Sequence, residues 1–154
     1  MNWYFEDFRT GQVFDSQART ITEADVVTFA GWSWDTNPVH TDAVASRHGR
    51  FGERIAHGLL GLSVAMGLAS RLGVFETCSI ALLGVDNWRF RQPLLIGDTV
   101  TCRVEIRDTR LTSTGDAGIL HRHFTLRNER GESLQEGDIN LLVALRTSHG
   151  SLAE

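Results

Sequence analysis

The chain contains no lysine: all 15 basic residues among its 154 are arginines. That absence removes every reaction class that runs through a lysine amine, namely Schiff-base catalysis, pyridoxal-phosphate attachment and the phosphate-gripping lysine of a Walker loop. Cysteine is scarce as well. Cys78 and Cys102 lie far apart and match no metal or redox spacing, so reduced thiols in a cytoplasmic protein are expected. Positive charge is not in excess. The formal charge of −4 argues against nucleic acid as a partner, because phosphate backbones demand basic patches. No apolar run reaches membrane-spanning length without interruption; the best, over 59–72, is short and broken by glycine, so no membrane association is expected. Residues 1–14 carry Glu6, Asp7 and Arg9 and no apolar stretch, which does not read as a signal peptide. His40, His48 and His57 form no zinc spacing, and no metal or other cofactor is expected.

What is present suits one globular domain. Hydrophobic residues make up 42% of the chain, and its length allows a sizeable core. Residues 1–20 read as an extended N-terminal segment anchored by Phe8, Val13 and Phe14. A helix is predicted after Thr22, which with Asp25 forms a capping-box pattern, and Gly31 is placed to end it. The next stretch, through Asn37-Pro38, reads as a loop, followed by a short helix over Ala43, Val44 and Ala45 with Thr41 as its N-cap. Residues 55–70 are apolar on nearly every side, which predicts a buried helix. Gly58, Gly61 and Gly67 weaken it, roughly 1 kcal/mol each against alanine, so packing is expected to need the space.

Everything after Cys78 reads as strands, over 79–92, 99–110, 118–127 and 136–146, joined by polar hairpin loops. Residues 118–127 put Leu120, Phe124 and Leu126 on one face together with Arg122. The order of elements predicts an α+β layer fold, a curved antiparallel sheet wrapped around a central buried helix. It fills 1–147, with 148–154 a flexible tail. Such a layer leaves an open edge, which predicts a homodimer or a dimer of dimers.

One stretch is not explained by folding. Trp32-Ser33-Trp34-Asp35-Thr36-Asn37-Pro38-Val39-His40 gathers an acid, an amide, a proline and an imidazole behind two tryptophans. Asp35 and His40 suit proton transfer in an apolar setting, since imidazole serves as acid and base at neutral pH. Alone, the two could be a helix cap and a loop histidine. Asn37 is first a turn former whose side chain bonds local backbone, with substrate contact its second role. His57, at the entry to the buried helix, suits a structural hydrogen bond or a place in the site.

Asp35-Thr36-Asn37-Pro38-Val39-His40 resembles the D-x-N-P-x-H signature of MaoC-like, (R)-specific enoyl-CoA hydratases. Phe51-Gly52, Ile55-Ala56-His57-Gly58-Leu59-Leu60, Phe90-Arg91-Gln92-Pro93-Leu94 and Gly97-Asp98 resemble later positions of that family, from about Phe5 to about residue 146. The resemblance implies a hot-dog fold and an acyl thioester substrate carried on coenzyme A or acyl carrier protein. It implies reversible hydration of a trans-2-enoyl thioester to the (3R)-3-hydroxyacyl form. It assigns Asp35 and His40 to catalysis, Ser63 to a supporting catalytic place, and the backbone near Gly58 to the thioester oxygen. Trp34 stands where family members often have glycine, and so becomes a candidate contact for the acyl group. Ser63 has a local reading beside this one, a helical serine bonded to the carbonyl of Leu59. Arg89 and Arg91 could meet coenzyme phosphates or simply form a solvated strand face. Two other functions fit the same fold: an acyl-CoA thioesterase, and a non-catalytic partner subunit of a hydratase heterodimer.

Overall fold

A computed structural model describes residues 2–146; the expected tail over 148–154 lies outside the described residues. Four long strands, β3 (Ser79–Phe90), β4 (Thr99–Leu111), β5 (Ala117–Arg127) and β6 (Ser133–Ala144), follow two short ones, β1 (Val13–Asp15) and β2 (Arg19–Thr20). They form a curved antiparallel sheet in the order β1-β4-β5-β6-β3, with β2 on the start of β4. Alternation sets the faces. Val100, Cys102, Val104 and Ile106 of β4 turn inward and are fully buried, as the period of two requires. Both cysteines are buried and unpaired thiols.

Four helices, α1 (Glu23–Ser33), α2 (Pro38–Thr41), α3 (Ala43–Arg47) and α4 (Gly58–Ser70), complete the fold, and α4 packs against β4 and β5. Among the described residues no helix is long and apolar enough to cross a membrane. The capping box of α1 is formed: the Thr22 hydroxyl accepts from the Asp25 N–H, and the Asp25 carboxylate accepts from the Thr22 N–H. Gly31 does not end this helix. The chain turns three residues later, where Trp34 adopts a left-handed conformation at φ 63°. The stretch after it is not all loop. Pro38, which supplies no N–H, opens α2 at the first position, where none is needed. Asp42 rather than Thr41 caps α3, accepting from Val44 and Ala45.

The helix α4 is buried on one side only. Leu60, Val64, Ala65, Leu68 and Ala69 face the core, while Leu59, Ser63 and Gly67 are exposed. The glycines divide accordingly. A Cβ on Gly61 would lie 2.1 Å from the amide nitrogen of buried Gln135, and one on Gly58 would lie 2.8 Å from the Phe90 ring. At Gly67 a Cβ would meet nothing within 4 Å, so packing does not account for it. Gly67→Ala is therefore expected to stabilise the protein by roughly 0.5–1 kcal/mol, read as a rise in the thermal midpoint. A fall would show that this face of α4 is covered.

Among the described residues the strand β3 pairs on one side only, with β6. Its other edge is open, and Ile80, Leu82, Leu83, Val85 and Phe90 are all exposed.

Candidate active site

Three side chains from three places in the chain meet at the start of α4: Asp35 from the turn after α1, His40 from α2, and His57 from the N-cap of α4. The turn is held by its own polar groups. The Asp35 N–H donates to the Ser33 hydroxyl at 3.2 Å, and the Asn37 N–H donates to Asp35 Oδ1 at 3.3 Å. Asn37 Oδ1 accepts from the Val39 N–H at 3.1 Å. Asn37 thus serves as the N-cap of α2, and no substrate-facing role is needed to explain it.

Backbone carbonyls fix the histidine tautomers. His40 Nδ1 lies 2.7 Å from the Ile55 carbonyl oxygen, and His57 Nε2 lies 2.8 Å from that of Asp35. A carbonyl only accepts, so each of these nitrogens carries its hydrogen. In the neutral ring the lone pair therefore falls on Nε2 of His40 and on Nδ1 of His57. His40 Nε2 stands 3.9 Å from Asp35 Oδ2. That is too long for a direct bond and suits one water bonded to both. His40 is buried against the fold, whereas the Asp35 side chain is 54% exposed.

The His57 ring stacks on His40 with centroids 3.8 Å apart and is itself 2% exposed. Its bond to the Asp35 carbonyl ties the acid-bearing turn to the start of α4. His57 is thus buried and tied to the Asp35 turn. Among the described residues this trio is also where a metal ion could be held, since its ligand-type atoms lie within 4.8 Å of one another.

Ser63 is not brought to this group. It lies exposed on α4, and its hydroxyl donates to the Leu59 carbonyl at 2.9 Å, with no bond to Asp35 among the described residues. A helical serine hydroxyl readily shares the carbonyl one turn back in its own helix. The tryptophans also differ from expectation. Trp32 and Trp34 are 82% and 86% exposed, so in the single chain they do not wall the acid in. Arg91 is committed to Glu136, at 2.6 and 2.9 Å, and holds that carboxyl below its usual range.

The first turn of α4 is electrophilic. His57 provides no side-chain cap, and the first bond back into the helix is from Gly61 to the His57 carbonyl. The N–H groups of Gly58 to Leu60 are left without helical acceptors, at the positive end of the helix dipole. Gln135 holds this turn against the sheet. Its Nε2 donates to the Gly58 carbonyl at 3.1 Å, and its Oε1 accepts from Trp88 Nε1 at 3.2 Å.

A family profile described as MaoC like domain matches residues 7–122, well over half of the chain. The chain belongs to the MaoC-like domain family. Among its relatives, an (R)-specific enoyl-CoA hydratase from Rhodospirillum rubrum is 39% identical over 103 residues, covering 67% of this chain and 69% of that protein. Protein MaoC of Klebsiella aerogenes is 41% identical over 101 residues, which cover 66% of this chain but only 30% of that longer protein. A double hot-dog protein from Mycobacterium tuberculosis superposes with a TM-score of 0.85 at 19% identity, over 99% of this chain and 46% of the other. The fold is thus the hot-dog fold, and the MaoC-like family includes named hydratases. Within it, the Ile55 carbonyl and Gln135 were not singled out from the sequence. Neither has a local signal: one is a backbone atom 15 residues from His40, the other lies 77 residues from Gly58.

Proposed function

We propose that this protein catalyses the reversible hydration of trans-2-enoyl thioesters to (3R)-3-hydroxyacyl thioesters, with Asp35 and His40 as its acid–base pair. The carrying observation is the free lone pair on His40 Nε2, 3.9 Å from the Asp35 carboxylate. One water held between them loses a proton as its oxygen attacks the β-carbon. A proton from the same pair is delivered to the α-carbon, so the sum is addition of H and OH across the double bond. The thioester oxygen gains negative charge during attack, and the uncapped N–H groups at the start of α4 are placed to receive it. His57 keeps the turn bearing Asp35 in register with that helix end.

The reading includes a homodimer formed along the open edge of β3. Two copies paired there would cover Ile80, Leu83 and Val85 and place apolar surface near the site. Acyl-CoA is the simplest carrier, since the relatives are named for it.

The test is direct. Purified protein is given a panel of trans-2-enoyl-CoAs differing in length and polarity, and loss of enoyl absorbance is followed. At least one member should be hydrated, and a chiral assay should return the 3R product. Release of free thiol with the double bond intact would instead assign a thioesterase. No reaction by the chain alone, with activity restored by a homologous subunit, would assign the non-catalytic partner role.

A further inference from the structure

A cavity of about 270 Å³ lies between the C-terminal half of α4 and the start of β3. Its walls are largely apolar, with Met66, Phe75 and Leu141; the exposed Ser70, Glu76 and Ser79 also line it, and Arg122 is its one buried polar side chain. This arginine sits on the inward face of β5 with Leu120, Phe124 and Leu126, and is 2% exposed. Its Nε donates to the Ile139 carbonyl at 3.0 Å. Its guanidinium carbon lies 4.7 Å from the centre of the Phe75 ring and 5.1 Å from that of Phe124. Its Nη2 is buried and has no hydrogen-bond partner, and no carboxylate pairs with it among the described residues.

A lone buried cation is among the most costly groups a fold can hold. The charge is not lost by deprotonation: burial lowers the Arg122 pKa only to about 10, so it stays cationic at neutral pH. Nor do its sulfur neighbours compensate it. Burial pushes the Cys78 and Cys102 thiols up to about 11 and about 12, so both are neutral there. A methionine or leucine would fill this place at no electrostatic cost. The guanidinium makes physical sense if an anion arrives through the apolar cavity.

We propose that Arg122 binds a carboxylate at the far end of an acyl group lodged in this cavity, so that the preferred substrate is a dicarboxylic acyl thioester rather than a simple fatty one. A carboxylate matches the planar donor fork of arginine and would supply the missing counter-charge. That the acyl group is a thioester rests on the hydratase reading; that the cavity selects a carboxylate does not.

The geometry also says which site the cavity serves. The helix α4 has 13 residues and is about 18 Å long from Gly58 to Ser70, with the acid–base pair at one end and the cavity at the other. The strand β3 runs the same course, from Ile80 at the cavity to Phe90 beside Gly58. Antiparallel pairing of two β3 edges sets the Ile80 end of one copy beside the Phe90 end of the other. Each cavity then faces the acid–base pair of the second copy.

The test uses saturated acyl-CoAs, which cannot be hydrated, so binding is read apart from catalysis. Calorimetric titration compares a five-carbon chain ending in a carboxylate with its methyl-ended counterpart. The wild type should bind the carboxylate-ended ester roughly tenfold or more tightly. Arg122→Met should lose that preference, keep its affinity for the methyl-ended ester, and melt at the same temperature or higher, because an unpaired charge has been removed. Arg122→Lys, which keeps the charge without the fork, should retain a reduced preference. Equal binding of both esters by the wild type overturns the assignment, as does a preference that survives in Arg122→Met. A large fall in the melting temperature of Arg122→Met with ligand preference unchanged would make Arg122 a structural arginine, solvated and balanced from the polar cavity that it lines together with Asp86, Arg107, His121, Asp138 and Asn140. Failure of both esters to bind would instead sink the acyl-CoA reading of the site, and the dicarboxylic thioester with it.

Discussion

Asp35→Asn and His40→Ala should each lower hydration by roughly 10² or more, about 2.7 kcal/mol of transition-state stabilisation, while the fold survives. The expectation follows from what each change leaves in place. Asn at position 35 keeps an oxygen that can accept from the Asn37 N–H, so the turn closes as before. Only the negative charge and the proton-accepting capacity go. His40→Ala removes the one ring with a free nitrogen 3.9 Å from that carboxylate. Because both groups are taken to hold the same water, the double variant should be little worse than either single one. The measurement is loss of enoyl absorbance on a substrate that the wild type hydrates, with circular dichroism to show that the fold remains. Near-wild-type rates in both single variants would remove the pair from the mechanism.

Val85→Arg should convert the proposed dimer to monomers and abolish most of the activity. Val85 sits near the middle of the open-edged strand and is 47% exposed in the single chain, so the substitution places no charge in the protomer core. A two-fold interface presents the same residue twice, and two arginines would face one another across it. Like charges so placed cost several kcal/mol, a hundredfold or more in the dissociation constant. Sedimentation velocity should show a monomer of unchanged secondary structure. Turnover should fall with it, because the apolar cavity beside Ile80 would no longer face a second copy's acid–base pair. A variant that stays dimeric and active would place the interface elsewhere.

Much of this was legible in the residues themselves. Thr22 and Asp25 form the capping box that their spacing predicts, and the alternation from Val100 to Ile106 gives the inward face of β4. The hydratase signature marked Asp35 and His40, which the fold brings within reach of one water. Where expectation and structure part, the cause is a contact distant in sequence or a local alternative of similar energy. Gly31 could end α1, yet the turn falls at Trp34, whose left-handed backbone glycine would adopt at less cost. Ser63 had two acceptors open to it and takes the one within its own helix.

Sequence alone determined the long strands, the central helix, the family pattern and the candidate acid and base, because capping, periodicity and short motifs are local properties of the chain. Tertiary structure alone decided which nitrogen of His40 is free, through a carbonyl 15 residues away. It tied the buried His57 ring to the carbonyl of Asp35. It also showed that the arginine among the apolar residues of β5 has no ion-pair partner among the described residues. Those outcomes depend on which groups the folded chain brings face to face, and that is set by long-range packing rather than by spacing along the chain.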